Sequence, residues 1–345
     1  MHRFYRHLLV ASALVAAAGT AAWFFFLGKP NPQASSHPQS PIPNSQSLPL
    51  HPVVQRIVQD GPDLPYLKFN YLIKELPLTL LAHDIDALIA FISGHRPPKF
   101  QEAEWGSLVN DIQENLTVQT VPSEKVAHAL IAIFRDEAKN QMQRDYALQH
   151  IGGFAIYLVH TSSSPTSSIN NLQSSIVNPS PSLSTNHDPQ SPISNPLLSF
   201  LLSELKTAAA QSTKPWSGTA LNLLDGLLRA AEYRSVEIPG LNADLLVEMA
   251  IPIARDPSAP LNARLPALQL ATRRDSPAAR DLAREILTAP APGLMLVQCA
   301  SAALARLGTA EDLPLLQTAS ASASRHTALA LQEAIHSIQA RSTPR

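Results

Sequence analysis

A single cysteine, Cys299, stands in a chain of 345 residues. An internal disulfide framework is therefore excluded. Cys299 falls in the apolar run from Leu294 to Leu307, where it reads as a small buried hydrophobe. Glycine is scarce, with 12 residues, and aromatics make up only 6% of the chain. No stretch alternates Val, Ile and Thr between turn signals, which argues against sheet. Charge of one sign is also missing. The formal net charge is −1, and from Trp216 onward every base is an arginine matched in number by acids. A nucleic-acid partner would need a basic surplus on one face, so none is expected.

The motifs of common chemistries are absent as well. There is no H-E-x-x-H, no pair of Cys-x-x-Cys and no haem-attachment motif. Gly152-Gly153 is followed by no Gly-Lys-Ser/Thr and preceded by no strand, so it reads as a close helix contact or a kink and not as a phosphate loop. His83, Asp84 and Asp86 supply metal-ligand types, but adjacent residues on a helix point to different faces, and a solvated polar edge is expected there. His150 and His160 lie ten residues apart with no third ligand at helical spacing. The acid pairs Glu102/Glu104 and Asp136/Glu137 sit too close in sequence to face each other across a cleft. Asp145 is expected to cap or pair locally. No catalytic residue, cofactor, metal or small-molecule substrate is predicted, and the chain is expected not to be an enzyme.

What the sequence does hold is Ala, Leu and 30 prolines. Ala and Leu are the strongest helix formers, and proline fits linkers, first turns and kinks. Residues 8–27 read LLVASALVAAAGTAAWFFFL, long enough at 1.5 Å per residue to span a bilayer. Arg3 and Arg6 precede this run and only Lys29 follows closely, which places residues 1–7 in the cytoplasm and the bulk of the chain in the periplasm or outside. Trp23 and the three Phe after it suit the exit interface. The alternative is a cleaved signal peptide and secretion. The small-x-small sites lie inside the apolar run, which favours an uncleaved single-pass anchor.

Residues 28–52 are rich in Pro and Ser and read as a linker; residues 161–196 read as a disordered low-complexity insertion. The remainder, 53–160 and 197–341, divides into short helical segments. They are Tyr66 to Leu76, Thr79 to Ser93, Trp105 to Leu116, Glu124 to Phe134 behind Ser123 as N-cap, and Arg144 to His160. After the insertion come Leu197 to Ala210, Trp216 to Tyr233, Leu241 to Arg255, Leu261 to Arg273, Pro277 to Thr288, Leu294 to Leu307, Asp312 to Thr318 and Arg325 to Ala340. In the second segment Asp84 and Asp86 are placed on the polar side and Leu80, Leu81, Leu88, Ile89 and Ile92 on the apolar side. Gly308 stands where a helix C-cap is wanted, and Pro277 at a first-turn position.

Two of these segments overlay. From Asp136, seven residues lead to Arg144, and two more to Ala147-Leu148-Gln149; from Asp256 the same counts lead to Arg264 and Ala267-Leu268-Gln269. Arg325, followed by Ala328-Leu329, is a weaker copy without the Asp. Helix pairs arriving every 30 to 40 residues have a solenoid period. These residues resemble HEAT/armadillo repeats, whose pattern is an Asp in the turn between paired helices, an Arg near the start of the second helix, and then an Ala and Leu ladder. Tetratricopeptide landmarks are missing. The resemblance implies an all-α solenoid of stacked antiparallel helix pairs, in which Asp136, Arg144, Asp256, Arg264 and Arg325 form a structural ladder linking neighbouring repeats. The region before Asn110 shows no such pattern and reads as a divergent cap or a small helical domain. A solenoid of this kind, anchored through residues 8–27, is expected to scaffold a protein partner, or to serve as an accessory subunit of a membrane or periplasmic enzyme complex.

Overall fold

The structure is a computed structural model and describes residues 49–120, 123–162 and 195–342. The anchor predicted at 8–27, and most of the linker at 28–52 and of the insertion at 161–196, lie outside the described residues. The predicted linker and insertion both run too far: Pro52 already opens a helix, one helix runs on to Ser162 and the next begins at Pro196. Among the described residues no helix is long and apolar enough to cross a membrane.

Fourteen α-helices and two short 3₁₀ turns make up the described residues, which contain no strand. In chain order the helices are α1 (Pro52–Gln59), α2 (Tyr66–Lys74), α3 (Ala82–Ser93), α4 (Glu102–Thr117), α5 (Glu124–Arg135), α6 (Gln141–Ser162) and α7 (Pro196–Ala209). They continue with α8 (Trp216–Arg234), α9 (Ala243–Arg255), α10 (Leu261–Arg273), α11 (Pro277–Thr288), α12 (Leu294–Leu307), α13 (Leu313–Ala321) and α14 (Arg325–Ser342). Each odd helix packs on the even helix that follows it. The even helices also pack on one another in series, α2 on α4 through to α12 on α14. The result is a two-layer stack of helix pairs.

Local chemistry sets most of the boundaries. Proline opens α1, α7 and α11, where its missing N–H costs no helical bond. Asn195 caps α7 by accepting from the N–H groups of Leu197 and Leu198, and Asn242 caps α9 through the N–H of Leu245 at 2.8 Å. Ser123 stands at the N-cap of α5, but its side chain makes no capping bond there. Gly308 does end α12, in an extended conformation and not a left-handed one. A Cβ at Gly308 would lie 2.5 Å from the carbonyl of Leu304 and 2.7 Å from Ile338 of α14, so close approach explains the glycine.

Two residues differ from the sequence expectation in α3. This helix starts at Ala82, and Leu81 before it is exposed. Asp84 is buried, not solvated: its carboxylate accepts the N–H of Leu81 at 3.2 Å and the N–H of His51 at 2.7 Å. Asp84 thus caps α3 and ties it to the start of α1. Asp86 is exposed and pairs with Lys125 at 2.8 Å.

The core changes character along the stack. The early pairs close over an aromatic cluster in which Phe69 lies 6.0 Å from Phe91 and Phe91 lies 5.5 Å from Trp105, both edge-on. Later pairs close over Ala and Leu. Ala220, Ala263, Ala267 and Ala271 are fully buried, and small side chains let α8 and α10 approach until only glycine fits at 218. The region before Asn110, for which no repeat pattern was legible, belongs to the same two-layer arrangement.

Candidate binding surface

Asp136 and Asp256 end α5 and α9 with closely similar backbone angles, ψ 104° and 113°. Each carboxylate accepts a backbone N–H two residues on, from Ala138 at 2.9 Å and from Ser258 at 2.8 Å. Arg144 and Arg264 then reach back from the next helix to the carbonyls of Phe134 and Ala254, at 2.8 and 3.1 Å. The same turn is built twice. Its hydrogen bonds lie within one helix pair, but the guanidinium of Arg144 also lies over the ring of Trp216 of α8, 4.4 Å from its centre, and so reaches the next pair. Between pairs, the link is made one residue earlier: Arg135 grips the buried Glu204 of α7 at 2.6 and 3.1 Å, and Arg255 grips Glu285 of α11 at 2.9 and 3.0 Å. Arg325 opens α14 and is exposed. It does not share the position of Arg144 and Arg264.

A second set of polar contacts runs along the even helices. Tyr66 of α2 donates to Ser107 of α4 at 3.3 Å, and Asn70 to Asp111 at 2.5 Å. His150 Nε2 of α6 lies 3.0 Å from Asn110 Oδ1. Gln149 donates to Asp145 at 2.9 Å, and Thr219 of α8 holds the same carboxyl. Residues 66 and 70, 107 and 111, and 145 and 149 lie four apart on their helices, so each pair shares one face, and Tyr146 lies three residues before Gln149. The surface these residues form crosses α2, α4, α6 and α8.

Burial raises Asp111 above the ordinary carboxylate value, and hydrogen bonds from Asn70 and Asn110 and the charge of Lys74 offset this only in part. Burial likewise raises Asp145 against Gln149 and Thr219. Tyr146 is raised by burial and by the charges of Asp145 and Asp111. Burial pulls His150 down to about 4, so its ring is neutral at neutral pH. Elsewhere the buried acids are treated differently. Asp225 of α8 is met by Arg274 at 2.8 Å, Arg273 at 3.1 Å and Arg229 at 3.4 Å. Asp312, which burial would raise, is held below its usual value by the N–H of Thr309 and by Arg284 and Arg280. Asp111 and Asp145 are held by amides and a hydroxyl instead. The charge of Lys74 also acts on Asp111, and a cation brought by a binding partner would add to these contacts.

The other candidates separate in space or prove structural. His160 is not joined to His150; its carbonyl accepts from Arg234 at 2.7 Å. Glu104 caps α4 through the N–H of Gln101 at 3.0 Å, and Glu102 is exposed. Gly152 marks a close contact, since a Cβ there would lie 2.4 Å from Leu223 of α8. Cys299 is buried, and burial pushes its thiol up to about 11. Among the described residues no group of three His, Cys, Asp or Glu side chains is placed to hold a metal. The sequence reading missed Tyr66, Asn70, Asn110, Asp111, Tyr146 and Thr219. Its one available signal was separation: the contacting pairs 66/107, 70/111 and 110/150 lie 40 or 41 residues apart, which is one repeat.

No protein family matches the chain, and no curated protein matches it. It is similar to the solved structure of human deoxyhypusine hydroxylase in complex with glycerol, at 11% identity and a TM-score of 0.32, over 84% of this chain and 95% of that one. That protein is an enzyme, so the expectation that this chain catalyses nothing is corrected and is not carried forward. A likeness at this score gives the chain no substrate and no reaction.

Proposed function

We propose that the chain is a HEAT-like repeat protein, held at a membrane through residues 8–27, that scaffolds a protein partner on the even-helix face of α2 to α8. The contrast between the buried acids carries this reading. Of the acids that serve the fold, Asp225 and Asp312 are surrounded by arginines and Asp84 takes two backbone N–H groups. Asp111 and Asp145 are raised by burial and have amide and hydroxyl partners, and both of their charges act on Tyr146. Two such carboxyls on one surface suit a polypeptide segment bearing Lys or Arg, which would gain a charge-assisted hydrogen bond of about 1.5–3 kcal/mol.

The test is photo-crosslinking in cells from a benzophenone side chain at Tyr146, with Glu248 on α9 as the control position. The reading expects one discrete adduct from 146, its crosslinked peptide containing Lys or Arg, and loss of that adduct when Asp111 and Asp145 are both changed to Asn. Equal yields from 146 and 248, or an adduct indifferent to the two Asn substitutions, would refute it.

A further inference from the structure

The two ends of the stack differ. An end helix of a repeat array has no neighbour to cover its outer face, so that face is ordinarily polar. At the C-terminal end α14 follows this rule for the most part, exposing Gln332, Glu333, His336 and Arg341 together with Leu329. At the N-terminal end α2 does not. Phe69, Leu72 and Ile73 turn inward and are buried, while Tyr66 and Asn70 face α4. The remaining ridge carries Leu67, 67% exposed, and Tyr71, 66% exposed, one turn apart. Lys68 is exposed beside them, and the ammonium of Lys74 lies 5.8 Å from the centre of the Tyr71 ring. Glu75, the acid next in sequence, is engaged by Arg56 at 3.7 Å.

We propose that this ridge of α2 rests on an anionic phospholipid surface. An aliphatic side chain to enter the interface, a tyrosine to sit at headgroup level and two lysines to meet lipid phosphates form the pattern of an interfacial helix face. So small a ridge would not hold a freely diffusing protein to lipid. The inference rests on reading residues 8–27 as a membrane anchor, and the chain order supports it. Residues 28–51, between the apolar run and α1, span at most about 80 Å when fully extended. The stack then stays close to the bilayer, and α1 and α2 are its first elements after the anchor. A tether of that length raises the effective concentration enough for a weak contact to be populated.

The experiment uses the full chain with Cys299→Ala, reconstituted in vesicles of phosphatidylcholine alone or with phosphatidylglycerol. An environment-sensitive fluorophore is placed at Leu67→Cys on α2 or at Leu329→Cys on α14. The proposal expects a blue shift and quenching by spin-labelled lipid at 67 in phosphatidylglycerol vesicles, with 329 unchanged. Lys68→Glu together with Lys74→Glu should remove at least half of the shift. If the protein floats with the vesicles but 67 stays in water, this proposal fails and the anchor reading survives. If the protein does not float with them at all, the anchor reading fails and takes this one with it. Equal shifts at 67 and 329, or a shift at 67 that grows with protein concentration and needs no lipid, would also overturn it, the latter in favour of a second copy of the chain.

Discussion

Three glycines test the packing of the even helices against one another. Gly152 and Gly153 occupy the interior of α6, where Ala is favoured over Gly by about 0.5–1 kcal/mol, and Gly218 lies in the first turn of α8. What a new methyl group would meet differs at each. At Gly153 nothing lies within 4 Å. Gly153→Ala should therefore stabilise the fold by nearly the whole propensity gain. At Gly152 the Cβ would lie 2.4 Å from Leu223 Cδ2, the end of a side chain that can change rotamer. That adjustment costs about 1 kcal/mol, and the net effect should be near zero or mildly destabilising. At Gly218 the Cβ would lie 2.2 Å from the carbonyl oxygen of Asn262 and 2.9 Å from Cα of Ala263. Both obstacles are backbone, so α8 and α10 must separate by about an ångström. Separation loosens the contact around Ala263 and Ala267, and overpacking of this kind costs about 1–3 kcal/mol or more after the propensity gain is set against it. The assay is the urea midpoint, with hydrogen exchange in α8 and α10 read alongside because repeat stacks need not unfold in one step. The expected stability order is Gly153→Ala, then wild type or Gly152→Ala, then Gly218→Ala. A Gly218→Ala protein as stable as Gly153→Ala would refute the close approach of α8 and α10.

Arg264→Ala should cost about 1–3 kcal/mol by leaving the carbonyl of Ala254 without its charged donor, and Arg144→Ala should cost a similar amount at Phe134; an unchanged midpoint in denaturant for both would reject the shared turn. Arg135→Ala should be worse than Arg255→Ala: Glu204 is buried and would be left unpaired, at a cost of about 1–3 kcal/mol, whereas the Arg255–Glu285 pair is half exposed and worth about 0–1 kcal/mol. The two thermal melts should separate accordingly, and equal losses would contradict that difference in burial. His150 should make the fold acid-sensitive. Its folded value of about 4 lies below its unfolded one near 6.5, so its contribution is full above pH 6.5 and is lost as pH falls toward 4, by about 3 kcal/mol. Asp111 and Asp145, raised in the fold, act in the opposite sense, so the difference between wild type and His150→Gln across that window is the quantity to measure. A constant difference from pH 7 to pH 4 would show that His150 is not held neutral.

The helices were legible because local chemistry marks them. Leu261–Arg273, Pro277–Thr288 and Leu294–Leu307 have the bounds their proline and glycine punctuation suggests. The turn at Asp136 and Asp256 was legible because both of its partners lie within ten residues, and a local motif survives in one sequence. The links between pairs were not. Arg135 and Glu204 are 69 residues apart with the low-complexity insertion between them, whereas Arg255 and Glu285 are separated by 30. No single spacing covers both. Asp84 was misplaced for a related reason. Helical periodicity puts it on the outer side of α3, but its burial comes from the backbone of His51, which belongs to a different pair.

The same reasoning explains why the candidate surface escaped notice while the structural acids could be rationalised. A carboxylate buried by the fold for its own stability must be paired, because desolvation costs more than a neutral hydrogen bond returns. Asp225 and Asp312 obey that rule, Asp225 with Arg229 of its own helix and Arg273 of α10, Asp312 with Arg280 and Arg284 of α11. Asp111 and Asp145, half-buried, differ: amide and hydroxyl partners, and for Asp111 the charge of Lys74, leave both with values raised by burial, so at neutral pH each is a local cost to the fold. Such a cost gives the isolated chain nothing. It becomes favourable once a cation approaches from outside the stack, since the desolvation has already been met before the partner arrives. The proposed binding surface rests on that difference in how acids on one face are held, which composition and periodicity do not register.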